Sequence, residues 1–354
     1  MKKYVILTGS DGGYGNLGDE WLLASVRRQY IIHKISCKYK VVLLMAHHPK
    51  NRITDRFMYV CDNMHAFKAS GIKVDEIVAV HYYGGGYINS YWMQEKIWLY
   101  NHLVDNGFPK DRFFFTGLGL GPFNAEELDA TKAIAKSAAY FGTRDLVFKK
   151  QIKCDFMFDE SIIFAPEKCI KYKQKEEIWV NFRIATHVGL KDGEAESTIQ
   201  IIERFAKLHS LKIKYFSMIN GVDFNEAIEI KKNLLQAGIN ARVFDRSKNP
   251  KKILKRLQNA KMVITTSYHA TLAGLYSGVP VVSLYANDYY DIKFRGLQEV
   301  LDTGLLTFVK ISSLNETTLE SALLSRDEDL TRKLKEFKVI NKHVYNKYKE
   351  FIYE

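Results

Sequence analysis

Cysteine, proline and long apolar runs are all scarce in this sequence of 354 residues. The four cysteines lie far apart without a Cys-x-x-Cys pair, which indicates reduced thiols and no zinc site. Six prolines argue against disordered linkers. No apolar run approaches the roughly 18 residues of a membrane span, and residues 1–8 enter a strand too briefly for a signal peptide. We therefore expect a globular cytoplasmic protein.

Positive charge is in excess, with 52 Lys and Arg against 40 Asp and Glu and a formal net charge of +12. This excess indicates an anionic partner. Nucleic acid is not expected, because no recognisable binding motif and no compact basic patch interleaved with aromatics is present. Residues 332–353 combine lysines with aromatic side chains. That pattern fits a solvated helix face or a peripheral contact with the inner face of the cell membrane.

Strand-like and helix-like segments alternate along the chain, which predicts an α/β protein. The length suits two domains of roughly 150 to 180 residues. The simplest architecture that fits this alternation is two doubly wound, Rossmann-like domains that face each other across a cleft. The lysine-rich residues 165–177 are the best candidate for the linker between the two domains. We place the domains at 1–168 and 169–312, followed by helices in 313–354 that could pack back on the first domain.

A glycine-rich loop follows the first predicted strand and ends in Asn16, Asp19 and Glu20. The spacing is not the dinucleotide fingerprint, and two acids at a helix start would repel a pyrophosphate. NAD binding is therefore disfavoured. The carboxylates are either helix caps or a catalytic base that the helix end keeps ionised.

Two more glycine clusters follow predicted strands, at residues 84–86 and 117–121. Gly85, Gly86 and Gly119 would let the backbone approach a ligand closely, although a tight turn needs glycine as well. Tyr87 stands beside the first cluster, where a sugar ring could stack.

Arginines stand at the ends of two predicted strands, at Arg144 and Arg183. A guanidinium there can clamp a carboxylate or phosphate. The alternative for Arg144 is a structural ion pair with Asp145 or Asp159.

Residues 262–284 predict strand, turn, helix, turn and strand, with Ser267 and His269 where the helix begins. Helix N-termini at the carboxyl ends of parallel strands bind anions, so we expect an anion site there. A histidine that only caps its own helix is the alternative. A polar, aromatic loop is expected over residues 285–296, with Lys293 inside it.

The glycine clusters, Arg144, residues 181–183, residues 267–270 and residues 278–282 occur in the order expected of one family. Over about residues 4–300 the chain resembles the polysaccharide pyruvyl transferases. The resemblance implies a GT-B-like fold, phosphoenolpyruvate as co-substrate, and neither a metal nor a cofactor. The product would carry pyruvate as a ketal on a sugar of a surface polysaccharide or of its polyprenyl-diphosphate-linked precursor.

The resemblance also implies roles for individual residues. His269 would bind the leaving phosphate and donate a proton, and Asp19 or Glu20 would act as base. Members of the family usually carry arginine two residues before the histidine, where this chain has Ser267. Either another cation, such as Lys293 or Arg183, would then supply that charge, or the donor would differ from phosphoenolpyruvate. The remaining substrate contacts would come from Asn16, Gly85, Gly86, Tyr87, Gly119, Arg144, Arg183 and Lys293.

Two other functions fit the same sequence. One is a sugar-nucleotide-dependent glycosyltransferase of the same two-domain build. The other is a non-catalytic binding protein of a glycan-assembly complex, which the missing arginine would favour.

Overall fold

A computed structural model of the chain describes residues 3–10, 16–45, 58–61, 63–167, 175–182, 189, 193–218, 232 and 250–354. The chain divides into two compact units. Unit 1 comprises Met1–Tyr14, Asp19–Ile163 and Glu336–Glu354, and unit 2 comprises Gly15–Gly18 and Phe164–Lys335. The domain boundary expected between residues 168 and 169 lies outside the described residues.

Unit 1 is built on a sheet of seven described strands in the order β3-β2-β1-β4-β5-β6-β7. Every pairing in this sheet is parallel. The strand order reverses between β1 and β4, and open α/β sheets bind ligands outside the carboxyl ends of strands at such a point. The strands are β1 (Tyr4–Gly9), β2 (Lys40–Leu44), β3 (Met58–Cys61), β4 (Ile77–Ile88), β5 (Phe113–Leu120), β6 (Tyr140–Thr143) and β7 (Asp155–Phe156).

Helices cover both faces of this sheet because its strands are apolar on both sides. Val5 and Leu7 of β1 join one buried cluster, and Ile6 between them joins the other. The described helices that begin in the first half of the chain are α1 (Leu17–Ile32), α2 (Ile35–Lys38), α3 (Met64–Ala69), α4 (Met93–Lys96), α5 (Trp98–Asp105), α6 (Ala125–Ser137) and α7 (Lys149–Ile152).

Unit 2 has a second parallel sheet, of five described strands in the order β12-β11-β10-β8-β9. Its order reverses between β8 and β10. The strands are β8 (Glu177–Asn181), β9 (Lys212–Tyr215), β10 (Met262–Thr265), β11 (Val281–Tyr285) and β12 (Leu306–Lys310), and the helices are α8 (Glu194–Leu208), α9 (Pro250–Leu257), α10 (Tyr268–Tyr276), α11 (Asp288–Leu301) and α12 (Glu316–Leu324).

The last helix, α13 (Leu330–Tyr353), belongs to unit 1 from Glu336 onward. It packs on the sheet face that α1 also covers, through the buried side chains of Val344, Tyr345, Tyr348 and Ile352. None of the described helices is long and apolar enough to cross a membrane.

The structure corrects the expectation of loops at two glycine clusters. Residues 84–86 lie inside β4, and residues 117–120 lie inside β5. The glycines are needed there because large side chains lie against the strands. A Cβ at Gly84 would stand 2.6 Å from Glu160 Oε2, and one at Gly119 would stand 2.9 Å from Arg144 Nη2.

The polar, aromatic loop expected over residues 285–296 is also wrong, because most of it is helix α11. The side chain of Asn287 caps this helix by accepting a hydrogen bond from the Tyr290 backbone N–H. Tyr290, Phe294 and Leu297 then recur on one buried face. Helical spacing of the aromatic residues was the signal that the polar composition concealed.

Candidate active site

Helix α10 begins directly beyond the carboxyl end of β10, at the point where the strand order of unit 2 reverses. This confirms the predicted strand, turn, helix, turn and strand over residues 262–284. Ser267 is the N-cap residue, but its side chain makes no capping hydrogen bond, and the first turn of α10 contains no acid. The positive end of the helix dipole is therefore neither capped by the side chain of Ser267 nor offset by an acid in the first turn.

Buried hydroxyl and amide groups hold this turn in place. Thr265 Oγ1 accepts a hydrogen bond from the Ser267 backbone N–H (2.9 Å) and donates one to Asn181 Oδ1 at the end of β8 (2.8 Å). Thr271 Oγ1 donates to the Ser267 carbonyl (3.1 Å) and lies 2.6 Å from Ser283 Oγ on β11. Three neighbouring strands thus fix where α10 starts, which gives the rigidity that an anion site needs.

α10 can lie close to its sheet because Gly274 faces the strands. A Cβ at this position would stand 2.5 Å from Val281 Cγ2 and 3.3 Å from Val263 Cγ2. Small residues inside the helix therefore set the distance between α10 and the sheet, and with it the position of the first turn.

His269 is the second residue of α10 and is partly buried. Its ring packs edge-on against Tyr268, with 5.4 Å between ring centroids. Gly18, which belongs to unit 2, lies against the same ring, and a Cβ there would stand 2.1 Å from His269 Nδ1. Asn16 lies in this segment too and accepts a hydrogen bond from the Gly18 N–H at 3.1 Å. Two predicted site residues, Asn16 and His269, therefore belong to one unit.

Of the three cations expected to grip the substrate, Lys293 and Arg144 are described, whereas Arg183 lies outside the described residues. Lys293 is on α11 and half-buried, and its ammonium donates to the Tyr289 hydroxyl. The same ammonium lies 3.7 Å from the centroid of the Tyr289 ring. Its charge is therefore held among aromatic rings.

In unit 1, Asp19 and Glu20 lie in the first turn of α1 and are partly buried. Asp19 Oδ1 accepts a hydrogen bond of 2.5 Å from Ser10 Oγ, directly after β1. Gly85 lies beside Ser10, since a Cβ on it would stand 3.0 Å from Ser10 Oγ. The structure thus brings Asp19 and Gly85 to the carboxyl ends of β1 and β4, where the strand order of unit 1 reverses.

Two predicted contact residues of unit 1 are buried. Arg144 is 2% exposed, and its Nη1 forms an ion pair of 2.6 Å with Asp159 Oδ2, which is the structural alternative considered for it. Tyr87 is 5% exposed, and its hydroxyl donates to the Tyr83 carbonyl. Its ring offers no face to a sugar, whereas the neighbouring Tyr91 is 52% exposed.

A buried polar network in unit 1 was not expected from the sequence. Glu160 Oε1 accepts hydrogen bonds from Thr116 Oγ1 (2.6 Å) and from the Tyr345 hydroxyl (2.7 Å). Thr116 Oγ1 also lies 2.7 Å from His81 Nε2, and His81 Nδ1 lies 3.0 Å from the Tyr30 hydroxyl. A histidine within an otherwise apolar strand was the sequence signal that could have indicated this network.

Burial decides the charge of this network. It raises the pKa of Glu160 to about 8, against the opposite effect of the hydrogen bonds from Thr116 and Tyr345. Burial also lowers the pKa of His81 to about 3. At neutral pH both groups are therefore mainly uncharged, which suits a closed interior.

Comparison with solved structures shows the fold. UDP-N-acetylglucosamine 2-epimerase from Rickettsia bellii is 12% identical with a TM-score of 0.57, covering 99% of this chain and 98% of its own. The epimerase from Methanocaldococcus jannaschii is 10% identical with a TM-score of 0.57, at 97% and 100% coverage. A UDP-glucosyltransferase from Polygonum tinctorium is 10% identical with a TM-score of 0.55, at 100% and 99% coverage. These are GT-B structures, as expected for the chain.

Sequence comparison identifies the family. No curated protein matches the chain. The family model described as polysaccharide pyruvyl transferase matches residues 16–289. This range includes Asp19, the strand-order reversal of unit 2 and the whole of α10. The chain therefore belongs to the polysaccharide pyruvyl transferase family.

Proposed function

We propose that the protein transfers the enolpyruvyl group of phosphoenolpyruvate to a sugar and releases phosphate. The observation that carries this proposal is the start of α10, where Ser267 makes no side-chain cap, the first turn contains no acid and His269 is the second helical residue. A helix N-terminus of this kind suits a phosphate or carboxylate, and phosphoenolpyruvate carries both. Family membership supports a polysaccharide as the acceptor.

The chemistry needs an acid, a base and positive charge. Protonation of the methylene carbon of phosphoenolpyruvate creates an oxocarbenium-like centre, to which one sugar hydroxyl adds. Phosphate then leaves, and a second hydroxyl of the same sugar adds to close the ketal. Of the two hydroxyl protons, one balances the proton taken up by the methyl group and the other leaves with phosphate.

We assign the phosphate and the donated proton to His269, since histidine is the side chain that most often acts as general acid in enzymes. Asp19 or Glu20 takes the proton of the attacking hydroxyl. Lys293 and Arg183 remain our candidates for the charge that family members usually place at the position of Ser267. Arg144 is a weaker candidate than the sequence suggested, because Asp159 already neutralises it within a buried ion pair.

The acceptor we propose is a surface-polysaccharide sugar or its polyprenyl-diphosphate-linked precursor, modified in the cytoplasm at the inner face of the membrane. The reaction as written needs phosphoenolpyruvate as co-substrate and no cofactor. Among the described residues, no cluster of three or more His, Cys, Asp or Glu could hold a metal ion.

A sugar-nucleotide donor is the competing proposal, because several solved structures of this fold carry UDP or act on UDP-sugars by their titles. Thermal unfolding with each donor separates the two. We expect phosphoenolpyruvate to raise the melting temperature, and UDP-glucose and ADP-glucose to leave it unchanged. A rise with a sugar nucleotide alone would reject the proposed donor. Binding of phosphoenolpyruvate without phosphate release in the presence of the acceptor glycan would instead favour the non-catalytic binding protein.

A further inference from the structure

The end of helix α1 exposes two consecutive isoleucines. Ile31 is 52% exposed and Ile32 is 56% exposed. The helix stops directly after them, because Lys34 adopts a left-handed backbone conformation with φ of 56°. Two branched aliphatic side chains thus protrude together at a helix end on the surface of unit 1.

The end of α13 lies against the same turn. The Tyr353 hydroxyl donates to the backbone carbonyl of Lys34 at 3.0 Å, and Lys38 Nζ lies 4.0 Å from the centroid of the Tyr353 ring. About two turns of α13 earlier, Tyr345 stacks on His33 with 6.4 Å between ring centroids. Residues from the two ends of unit 1 therefore form one continuous surface.

Lysines surround the two isoleucines on this surface. Lys34, Lys38, Lys342 and Lys349 are all exposed. Lys349 Nζ lies 6.0 Å from the centroid of the Tyr353 ring. Burial and then the charges of Lys349 and Lys342 lower the pKa of His33. Exposed acids are present at the end of α13, at Glu350 and Glu354, but the lysines outnumber them. We call Ile31, Ile32, Lys34, Lys38, Lys342 and Lys349 the isoleucine–lysine patch.

A cavity of about 730 Å³ adjoins the patch and shares Lys38 with it, and Tyr353, which contacts Lys34, also lines the cavity. Lys3 and Arg112 also line this cavity, which therefore has three basic side chains, including Lys38. Two acidic side chains, Asp75 and Glu354, line it as well. The cavity is open to the surface and could receive an anionic head group. It strengthens the preference of this face for negative charge.

We propose that the isoleucine–lysine patch docks the protein on the surface of an anionic phospholipid bilayer. Ile31 and Ile32 enter the boundary between head groups and acyl chains, and the lysines contact the lipid phosphates. Apolar insertion together with electrostatic attraction is the combination by which peripheral proteins bind such surfaces. A nucleic acid would use the lysines but gain nothing from two aliphatic side chains, since bases stack on aromatic rings.

Within unit 1, the patch lies away from the predicted site residues of that unit. Lys38 and Tyr39 immediately precede β2, so the patch lies at the edge where the strands of the sheet begin. Ser10, Asp19 and Gly85 lie at the carboxyl ends of β1 and β4, which is the opposite edge. Docking through the patch therefore does not cover that end of the sheet. The inference is independent of the donor and of the reaction.

The test is co-sedimentation of the full chain with sucrose-loaded vesicles. One set is phosphatidylcholine alone, and the other contains phosphatidylglycerol as well. We expect binding only to the anionic vesicles, weakening as salt is raised. The double variant Ile31→Ser/Ile32→Ser should bind roughly tenfold more weakly. The double variant Lys34→Gln/Lys342→Gln should lose a similar factor, roughly tenfold.

A matched control separates the patch from exposed apolar residues in general. Leu208 is 69% exposed and Leu324 is 74% exposed, and both belong to unit 2. The double variant Leu208→Ser/Leu324→Ser should bind like the parent. Equal binding of the parent to both vesicle types would overturn the proposal. So would unchanged binding of the isoleucine variant, or an equal loss in the leucine control.

Discussion

The Tyr345 hydroxyl donates a 2.7 Å hydrogen bond to Glu160 Oε1 across 185 residues of sequence. The two residues join α13 to the segment that follows β7. Both side chains are buried, each with 2% of its surface exposed. A neutral carboxyl is the form that such an enclosure favours, which gives the stability of the fold a characteristic dependence on pH.

The first prediction is that Glu160 makes the protein less stable as the pH rises from about 4.5 to about 8. The folded pKa is raised above the unfolded one, so the stabilisation is complete below the unfolded pKa and is lost as the pH approaches the folded pKa. Glu160→Gln mimics the neutral carboxyl and should remove about 1.4 kcal/mol per pH unit from the slope. Denaturant unfolding at several pH values measures this.

Comparing variants separates the pH dependence due to Glu160 from that of the other titratable groups. His81 contributes a slope of the opposite sign below its ordinary pKa, but it does so in the parent and in Glu160→Gln alike. Glu350→Gln, at an exposed position of α13, should keep the parental slope. Parallel slopes for the parent and Glu160→Gln between pH 5 and 8 would show that Glu160 is ionised inside the fold.

The second prediction concerns the buried pair of Arg144 and Asp159. Arg144→Met leaves a carboxylate buried without its cation and should lower the free energy of unfolding by about 3–5 kcal/mol. Lys132→Met breaks an exposed pair with Asp129 and should cost less than about 1 kcal/mol. Asp159→Asn in the Arg144→Met background should restore part of the loss. If Arg144→Met were as stable as the parent but phosphoenolpyruvate raised its melting temperature less, Arg144 would be a substrate contact and not a structural residue.

The third prediction concerns the packing of α10 on its sheet. Gly274→Ala would gain about 1 kcal/mol from helix propensity alone. The new methyl group would instead collide with Val281, so we expect a net loss of about 1–3 kcal/mol. A double-mutant cycle with Val281→Ala tests the cause, because the smaller partner should relieve the collision. Additive effects in that cycle would mean that Gly274 is not limited by Val281.

Local patterns were sufficient to predict the strands and the helix around His269. The hydroxyl-rich turn, the small residues of α10 and the apolar runs on either side all concern neighbours in sequence. Alternation of strands and helices likewise predicted two parallel α/β sheets. These features depend on periodicity and turn chemistry, which a single sequence contains.

Contacts between residues far apart in the sequence could not be predicted from these local patterns. Gly84 and Gly117 look like loop residues, but both lie in strands, and the Glu160 side chain packs against them where a Cβ would stand. Arg144 could be a substrate clamp or a structural ion pair until the fold brings Asp159 to it. Glu160 itself is unremarkable in sequence, because Thr116 and Tyr345 become its partners only through the packing of β5 and α13.

Calorimetric titration of phosphoenolpyruvate into the parent and into His269→Ala tests the central claim most directly. His343→Ala, at an exposed histidine of α13, is the matched control. Loss of one charge-assisted hydrogen bond should weaken binding at least about tenfold in His269→Ala, and His343→Ala should bind like the parent. Equal affinity of the parent and His269→Ala would contradict the assignment of the phosphate to the start of α10.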